Sequence, residues 1–363
     1  MTDKLPQPRS FLKNVEPYIG GREHVEGVLN PVKLSANENP LGASPDALAC
    51  LRDVSNLALY PDGASAELRA TISQHFAIDP ERIVCGNGSD EILHLLAQAF
   101  LEPGDQTIST KHAFLVYRLI TEAAGAEAVS VDEQHLTADV DAMLAAVTDK
   151  TRMVFIANPN NPTGTMISPD ELRRLHAGLR SDIILVIDGA YAEYVPEGES
   201  ENGFDLVDTY NNVVVTRTFS KVYGLAALRL GWGYFPMAIS DVLNRIRPPF
   251  NVNSLAMRAG IAALKDQNHI KQSVQHNRQW REWLTQQISG LGFEVIPSQA
   301  NFVLIRFASS DIAAATDHYL AQKGLILRAM GSYKLPDCLR LTVGLEEANR
   351  RVVEALAAFK DEL

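Results

Sequence analysis

The sequence predicts an α/β protein in which a mostly parallel sheet is flanked by helices and joined to a smaller α+β unit. Three observations carry this. The chain has 363 residues, beyond the length at which one hydrophobic core keeps growing. Its middle alternates short apolar runs with stretches of helical periodicity, as parallel strands joined by helical crossovers do. The run Ile183-Ile184-Leu185-Val186-Ile187 is apolar on both faces, which a central strand covered on both sides requires. The hydrophobic fraction of 46% and the charged fraction of 21% are those of a globular chain with a sizeable core.

Taken in order, the first 39 residues carry Pro6, Pro8, Pro17 and Gly20-Gly21 and predict an extended arm that packs against another surface. Residues 40–245 form the larger unit. A strand is predicted over 82–85, a turn at Gly86-Asn87-Gly88, and a helix over 90–100 with Ile92, Leu93, Leu95, Leu96 and Phe100 at helical spacing. Further strands are predicted over 107–109, 153–157, 183–187 and 213–216. The pair Pro248-Pro249 must interrupt regular structure. Residues 246–363 then form the smaller unit. It has one long helix over 254–289, strands over 302–306, 325–328 and 339–343, and a last helix over 346–359.

The net charge of -11 argues against a nucleic-acid partner, which needs a positive face to displace counterions from phosphates. It leaves room for a local basic pocket that binds a small anion. Cys50, Cys85 and Cys338 are odd in number and match no metal or redox spacing, so no metal site and a reducing compartment are expected. Residues 1–11 hold no apolar leader segment. No run of about 18 apolar residues exists to span a bilayer. A cytoplasmic protein with no membrane partner is the expectation.

Four polar clusters sit where strands of the larger unit end, the place where parallel α/β sheets bind ligands. Gly86-Asn87-Gly88-Ser89-Asp90-Glu91 offers backbone N–H groups at a helix start, an anion site; it also reads as a plain strand–helix turn. Asn158-Pro159-Asn160-Asn161-Pro162-Thr163-Gly164 is a rigid loop that projects amides, or simply a turn. Asp188-Gly189-Ala190-Tyr191 puts a carboxylate at the end of the most apolar strand, where desolvation raises its pKa unless a cation sits beside it; a helix cap is the plainer reading. Thr218-Phe219-Ser220-Lys221 is followed by Arg229, and the apolar 225–228 stretch between them argues for burial rather than a solvated loop. Together these are the parts of one device. A lysine in a dry site near cations can bond a carbonyl carbon. Hydroxyls, an arginine and helix N–H groups neutralise a phosphate, and a carboxylate holds a proton on a ring nitrogen. A pyridoxal phosphate site needs these parts.

At this point the chain resembles the fold type I aminotransferases, and within them the histidinol-phosphate aminotransferases. The resemblance covers nearly the whole length. It rests on Lys33-Leu34-Ser35-Ala36-Asn37-Glu38-Asn39-Pro40-Leu41-Gly42, Tyr60-Pro61-Asp62-Gly63, Asn160-Asn161-Pro162-Thr163-Gly164, Arg229-Leu230-Gly231 and Leu339-Arg340-Leu341-Thr342-Val343-Gly344, with the clusters above. It implies a pyridoxal-phosphate enzyme in which Lys221 bonds the cofactor and shuttles a proton. Asp188 pairs with the ring nitrogen, and Asn161 and Tyr191 bond the ring hydroxyl. Ser89, Asp90, Thr218, Ser220 and Arg229 hold the phosphate, with Tyr60 reaching it from a second subunit. Phe114 stands where the family stacks an aromatic ring, often tyrosine, on the cofactor.

On the substrate side, the resemblance implies that Arg340 grips the α-carboxylate of the amino donor. Tyr18 and Arg328 match positions that bind the substrate phosphate. Asn37 belongs to the substrate site. Phe250 stands where some members place a tyrosine, a departure from a full phosphate clamp. The implied protein is a homodimer acting on histidinol phosphate and on glutamate or 2-oxoglutarate. An aromatic amino-acid aminotransferase shares every cofactor residue, and an O-phosphothreonine decarboxylase shares the scaffold. A nucleotide-binding or NAD-dependent protein built on Gly86 and Gly88 gives Lys221 no role. A cofactor-free binding protein is opposed by the set Lys221, Asp188 and Arg229.

Overall fold

The computed structural model describes residues 6–52, 54, 57–196, 198 and 202–362. The first five residues of the predicted arm, and with them part of the stretch read as free of an apolar leader, lie outside this set. Seven strands form the principal sheet: β1 (Ile83–Gly86), β2 (Gln106–Thr110), β3 (Glu127–Val131), β4 (Thr151–Ala157), β5 (Ile184–Asp188), β6 (Val213–Thr218) and β7 (Gly231–Tyr234). Their spatial order is β1-β7-β6-β5-β4-β2-β3. Only β7 runs against the others, pairing antiparallel with β1 and β6. β5 lies near the middle and is buried throughout. Ile183, Leu185 and Ile187 enter one apolar layer, while Ile184 and Val186 enter the opposite one. The two-faced apolar run therefore does what its sequence requires.

Two strands of this sheet escape the sequence pattern. β3 is an edge strand with a half-exposed, partly polar face, so it lacks a continuous apolar run. β7 reads Gly231-Trp232-Gly233-Tyr234, and two glycines in four residues hide its strand character. The glycines are needed there. A Cβ on Gly231 would lie 2.2 Å from the Ser89 nitrogen, because β7 passes directly beneath the start of helix α1 (Gly88–Phe100). A short helix, α2 (Leu115–Ala123), follows β2.

Beyond Pro248-Pro249, the predicted single long helix is two helices, α3 (Ser254–Lys265) and α4 (Gln267–Gly290). Asp266 closes the first and caps the second, accepting the His269 N–H at 3.0 Å. The cap explains why a residue compatible with helix ends one here. The second sheet is antiparallel and contains β8 (Glu294–Ile296), β9 (Phe302–Arg306), β10 (Arg328–Ala329) and β11 (Cys338–Thr342), in the order β10-β11-β9-β8. The strand predicted over 325–328 is divided. Leu325–Ile326 pairs instead with Val32–Lys33, and only Arg328–Ala329 joins β11. One face of this sheet, with Val303, Ile305, Leu339 and Leu341, buries itself with α4 and with α5 (Glu346–Asp361).

The predicted arm contains one turn of 3-10 helix, Ser10–Asn14. It is tied to its own chain by an Arg22–Asp317 ion pair at 2.9 Å. Its last residues are sewn into the C-terminal third: Thr342 N–H donates to the Leu34 carbonyl at 2.9 Å. Among the described residues, no helix is long and apolar enough to cross a membrane, and no cluster of metal-ligating side chains occurs.

Candidate active site

The carboxyl ends of β1, β5 and β6 and the start of α1 converge on one cavity of about 220 Å3. Ser89, Asp90, Phe114, Asn161, Asp188, Tyr191, Thr218, Ser220, Lys221 and Arg229 all line it. These residues come from five separate stretches of sequence, and the strand ends bring them to one place. Gly231 sits opposite Gly86 on one side and opposite Thr218 on the other. That register sets the helix start beside the Thr218 loop.

At the start of α1, Arg229 donates to Ser220 Oγ at 3.3 Å and to Asp90 Oδ2 at 3.1 Å. Ser220 N–H donates to Thr218 Oγ1 at 3.1 Å. Gly88 adopts φ +77°, and a Cβ on it would lie 2.7 Å from Arg229 Nη2. The helix start is thus bare backbone facing a guanidinium, the arrangement that receives an anion.

Asp188 closes β5 and is buried. Its Oδ2 accepts the Tyr117 hydroxyl at 2.7 Å and its Oδ1 accepts the Ala190 N–H at 3.1 Å. Burial pushes its carboxyl above the usual carboxylate range, against the pull of those two donors. Among the described residues, no cation pairs with it. Lys221 Nζ donates to the Ala36 carbonyl at 3.4 Å and lies 5.6 Å from the centre of the Tyr191 ring. Tyr191 in turn accepts Asn37 Nδ2 at 2.8 Å, and Asn37 is held by Thr342 through its N–H at 3.0 Å and its Oδ1 at 3.2 Å.

Arg340 is 5% exposed. It donates to Asn161 Oδ1 and, at 2.8 Å, to the Ser35 carbonyl, and its guanidinium lies 5.2 Å from the Phe302 ring centre. Its buried Nε has no hydrogen-bond partner among the described residues. Arg328 stands directly opposite Arg340 in the β10–β11 ladder, so both side chains leave the same face of the sheet.

A model of the family described as aminotransferase class I and II matches residues 30–356. The chain belongs to that family. It is 51% identical to a histidinol-phosphate aminotransferase of Maricaulis maris over 97% of this chain and 98% of that protein. It is 49% identical to one of Rhodopseudomonas palustris over 98% of each. Its fold superposes on a histidinol-phosphate aminotransferase of Sinorhizobium meliloti in complex with pyridoxal-5'-phosphate, with a TM-score of 0.92 at 24% identity over the full length of both chains. An aspartate aminotransferase of Thermus thermophilus with maleate gives a TM-score of 0.80 at 22% identity over 91% of each. These two structures establish the shared fold, and with it the fold type I architecture of a mixed, mostly parallel sheet flanked by helices.

Six of the predicted residues in this aminotransferase do not line the cavity; two of them, Asn37 and Arg340, bond residues that do, Tyr191 and Asn161. Tyr60 is 82% exposed and stacks on Phe250 at 4.6 Å, away from the other site residues. Tyr18 is half exposed and borders a separate groove with Arg118 and Ser332. Arg328 donates to the Ile19 carbonyl at 2.7 Å, beside Tyr18 in the arm. Sequence reasoning missed two participants. Tyr117 lines the cavity and bonds Asp188, and Thr342 fixes Asn37. For Tyr117 the available signal was its position three residues after Phe114, in the first turn of the helix that Phe114 caps.

Proposed function

We propose that the chain catalyses pyridoxal-phosphate-dependent transamination between L-histidinol phosphate and 2-oxoglutarate, giving imidazole-acetol phosphate and L-glutamate. The observation that carries this reading is the convergence of Lys221, Asp188 and the Arg229 anion cradle in one cavity. That convergence occurs in a chain half-identical, over nearly its whole length, to proteins named for this reaction.

The residues present fit the cofactor. Asp188 is a buried carboxylate, among the described residues without a cation beside it, and it suits a protonated ring nitrogen supplied from outside. Gly88, Ser89, Thr218, Ser220 and Arg229 suit a phosphate. When bound, pyridoxal phosphate supplies an electron sink for the bonds to the substrate Cα. Lys221 holds it covalently and, once released by the incoming amine, moves the proton at that Cα. Asp188 keeps a proton on the ring nitrogen. Tyr191 and Asn161 orient the ring hydroxyl, and the Asn37 amide that donates to Tyr191 leaves the tyrosine's own proton free to point inward. Phe114 offers its ring face for stacking. Arg340, whose Nε has no partner among the described residues, binds the donor α-carboxylate. Arg328 and Tyr18 read the distal anion, which is phosphate in one substrate and the γ-carboxylate in the other.

The working unit in this reading is a cytoplasmic homodimer with units bounded at residues 1–39, 40–245 and 246–363. The exposed pair Tyr60–Phe250, with the exposed Leu57 and Leu59 nearby in sequence, supports a covering second copy whose Tyr60 reaches the neighbouring phosphate. An aromatic amino-acid aminotransferase is the competing reading. Phe250 favours it, because it presents a ring and no hydroxyl. Comparison of kcat/KM for histidinol phosphate, phenylalanine and tyrosine with 2-oxoglutarate decides between them. Preference for histidinol phosphate by two decades or more supports the proposal, whereas equal or better use of phenylalanine overturns it.

A further inference from the structure

Tyr117 has no role in the scheme above, yet it bonds Asp188 directly. Its hydroxyl lies 2.7 Å from Asp188 Oδ2. An ionised carboxylate only accepts, so the phenol donates. The ring cannot swing away. It stacks on Phe155 with centroids 4.7 Å apart and planes 4° from parallel, and it meets the edge of Phe114 at 5.7 Å. Phe155 belongs to β4, the strand hydrogen-bonded beside β5, so the same sheet fixes donor and acceptor. The Ala190 N–H occupies the other carboxylate oxygen at 3.1 Å. Each oxygen of Asp188 therefore has one fixed donor, and the remaining lone pairs have a set direction.

We infer that Tyr117 is a positioning residue that holds the charge on Asp188 and thereby keeps a shared proton on the cofactor's ring nitrogen rather than on the carboxylate. The inference rests on the cofactor reading given above. A proton between two bases goes to the stronger one. Burial strengthens Asp188 as a base, and every hydrogen bond donated to its charged form weakens it. Tyr117 is the largest of the contacts that oppose the burial, ahead of the Ala190 N–H and Thr216. With Tyr117 removed, one oxygen of a buried carboxylate loses its partner and the proton moves from nitrogen to Asp188. The ring then loses its positive charge and its strength as an electron sink. The tyrosine acts on the electronics of the site without touching the substrate carboxylate.

The test uses Tyr117→Phe, which keeps the stacked ring and deletes only the hydroxyl. Wild type and variant are reconstituted with pyridoxal phosphate labelled with 15N in the ring, and the nitrogen resonance is recorded together with kinetics and thermal melts. The expected wild-type signal is that of a protonated nitrogen. In Tyr117→Phe it moves toward the unprotonated position, and kcat falls about ten- to hundred-fold, the factor a hydrogen bond to a charged group is worth. KM for glutamate changes by less than about threefold, because Arg340 is untouched. In an Asp188→Asn background, Tyr117→Phe adds little further change, since coupled residues are not additive. An unchanged 15N resonance in Tyr117→Phe, with loss of thermal stability alone, overturns the inference while leaving the cofactor reading intact. A wild-type protein that binds the cofactor with an unprotonated nitrogen does the same. Failure of the wild type to bind the cofactor at Lys221 removes both readings.

Discussion

Arg328 and Arg340 face each other across one ladder but differ in burial and in what they hold, so their removal separates two functions. Arg328→Ala deletes a partly exposed guanidinium that donates to the Ile19 carbonyl at 2.7 Å. Water replaces that contact, and folding stability changes by no more than about 0.5 kcal/mol. In the proposed reading the loss falls on the distal anion of the substrate. A hydrogen bond to a charged group contributes roughly 1.5–3 kcal/mol, about one to two decades in kcat/KM. Histidinol phosphate should lose that factor, while phenylalanine, which has no distal anion, should change by less than about threefold. Arg340→Ala behaves differently. It strands the buried Ser35 carbonyl, an unsatisfied group that costs about 1–3 kcal/mol, and frees the cavity-lining Asn161 Oδ1. Its melting temperature should therefore fall by several degrees, and glutamate and phenylalanine should suffer together. Steady-state kinetics with the three amino donors, with thermal melts alongside, measure all of this. Equal losses for histidinol phosphate and phenylalanine in Arg328→Ala would refute the distal-anion reasoning.

Three further outcomes are expected. Borohydride reduction of the yellow holoprotein should fix the cofactor on the peptide containing Lys221; mass-spectrometric location of the adduct on another lysine removes that residue from its role. Asp188→Asn should retain cofactor yet lose transamination by two decades or more. Burial raises the Asp188 carboxyl above the usual carboxylate range, so the charged form opposes folding as pH rises through the raised value. The cofactor-free Asp188→Asn protein should accordingly melt higher than wild type at neutral pH, by roughly 0.5–2 kcal/mol. That advantage disappears below the ordinary carboxylate pKa, where both proteins carry a neutral group; a lower melting point at pH 7 contradicts the argument. Finally, mixing Lys221→Ala with Tyr60→Ala subunits should restore activity through heterodimers that contain one site free of both changes. Activity no greater than that of the parents, with subunit exchange verified, shows that Tyr60 does not cross between subunits.

Much of the cavity was legible because its residues stand at strand ends, where the sequence shifts abruptly from apolar to polar. Asp188 after five apolar residues and Lys221 in a hydroxyl-rich loop are of this kind. Tyr117 was not legible in the same way. Flanked by Leu115, Val116, Leu119 and Ile120, it reads as a core aromatic at helical spacing, and only the neighbouring sheet reveals that its hydroxyl meets a carboxylate. Nor could the sequence place Arg328 beside Arg340, because that register depends on residues 325–328 dividing between two sheets. The joint at Asp266 was hidden for a local reason. Lys265-Asp266-Gln267 suits a helix interior, and the break appears only in the cap that Asp266 makes to His269. Gly231-Trp232-Gly233-Tyr234 was missed because its glycines answer to the close approach of Ser89, a constraint from another part of the chain.

The attachment of the arm to the C-terminal third also orders events on the ribosome. All seven strands of the principal sheet lie between residues 83 and 234, so that sheet is complete in sequence well before synthesis ends. Asn37 emerges earlier still, but the threonine that orients it lies 305 residues later. Contacts so distant in sequence form late, after the loop between them has closed. A nascent chain can therefore assemble Asp188, Lys221 and Tyr191 while Val32, Leu34 and the Asn37 backbone still lack their partners among residues 324–342. The site matures only when β11 leaves the ribosome tunnel and draws the first segment of the chain onto the last.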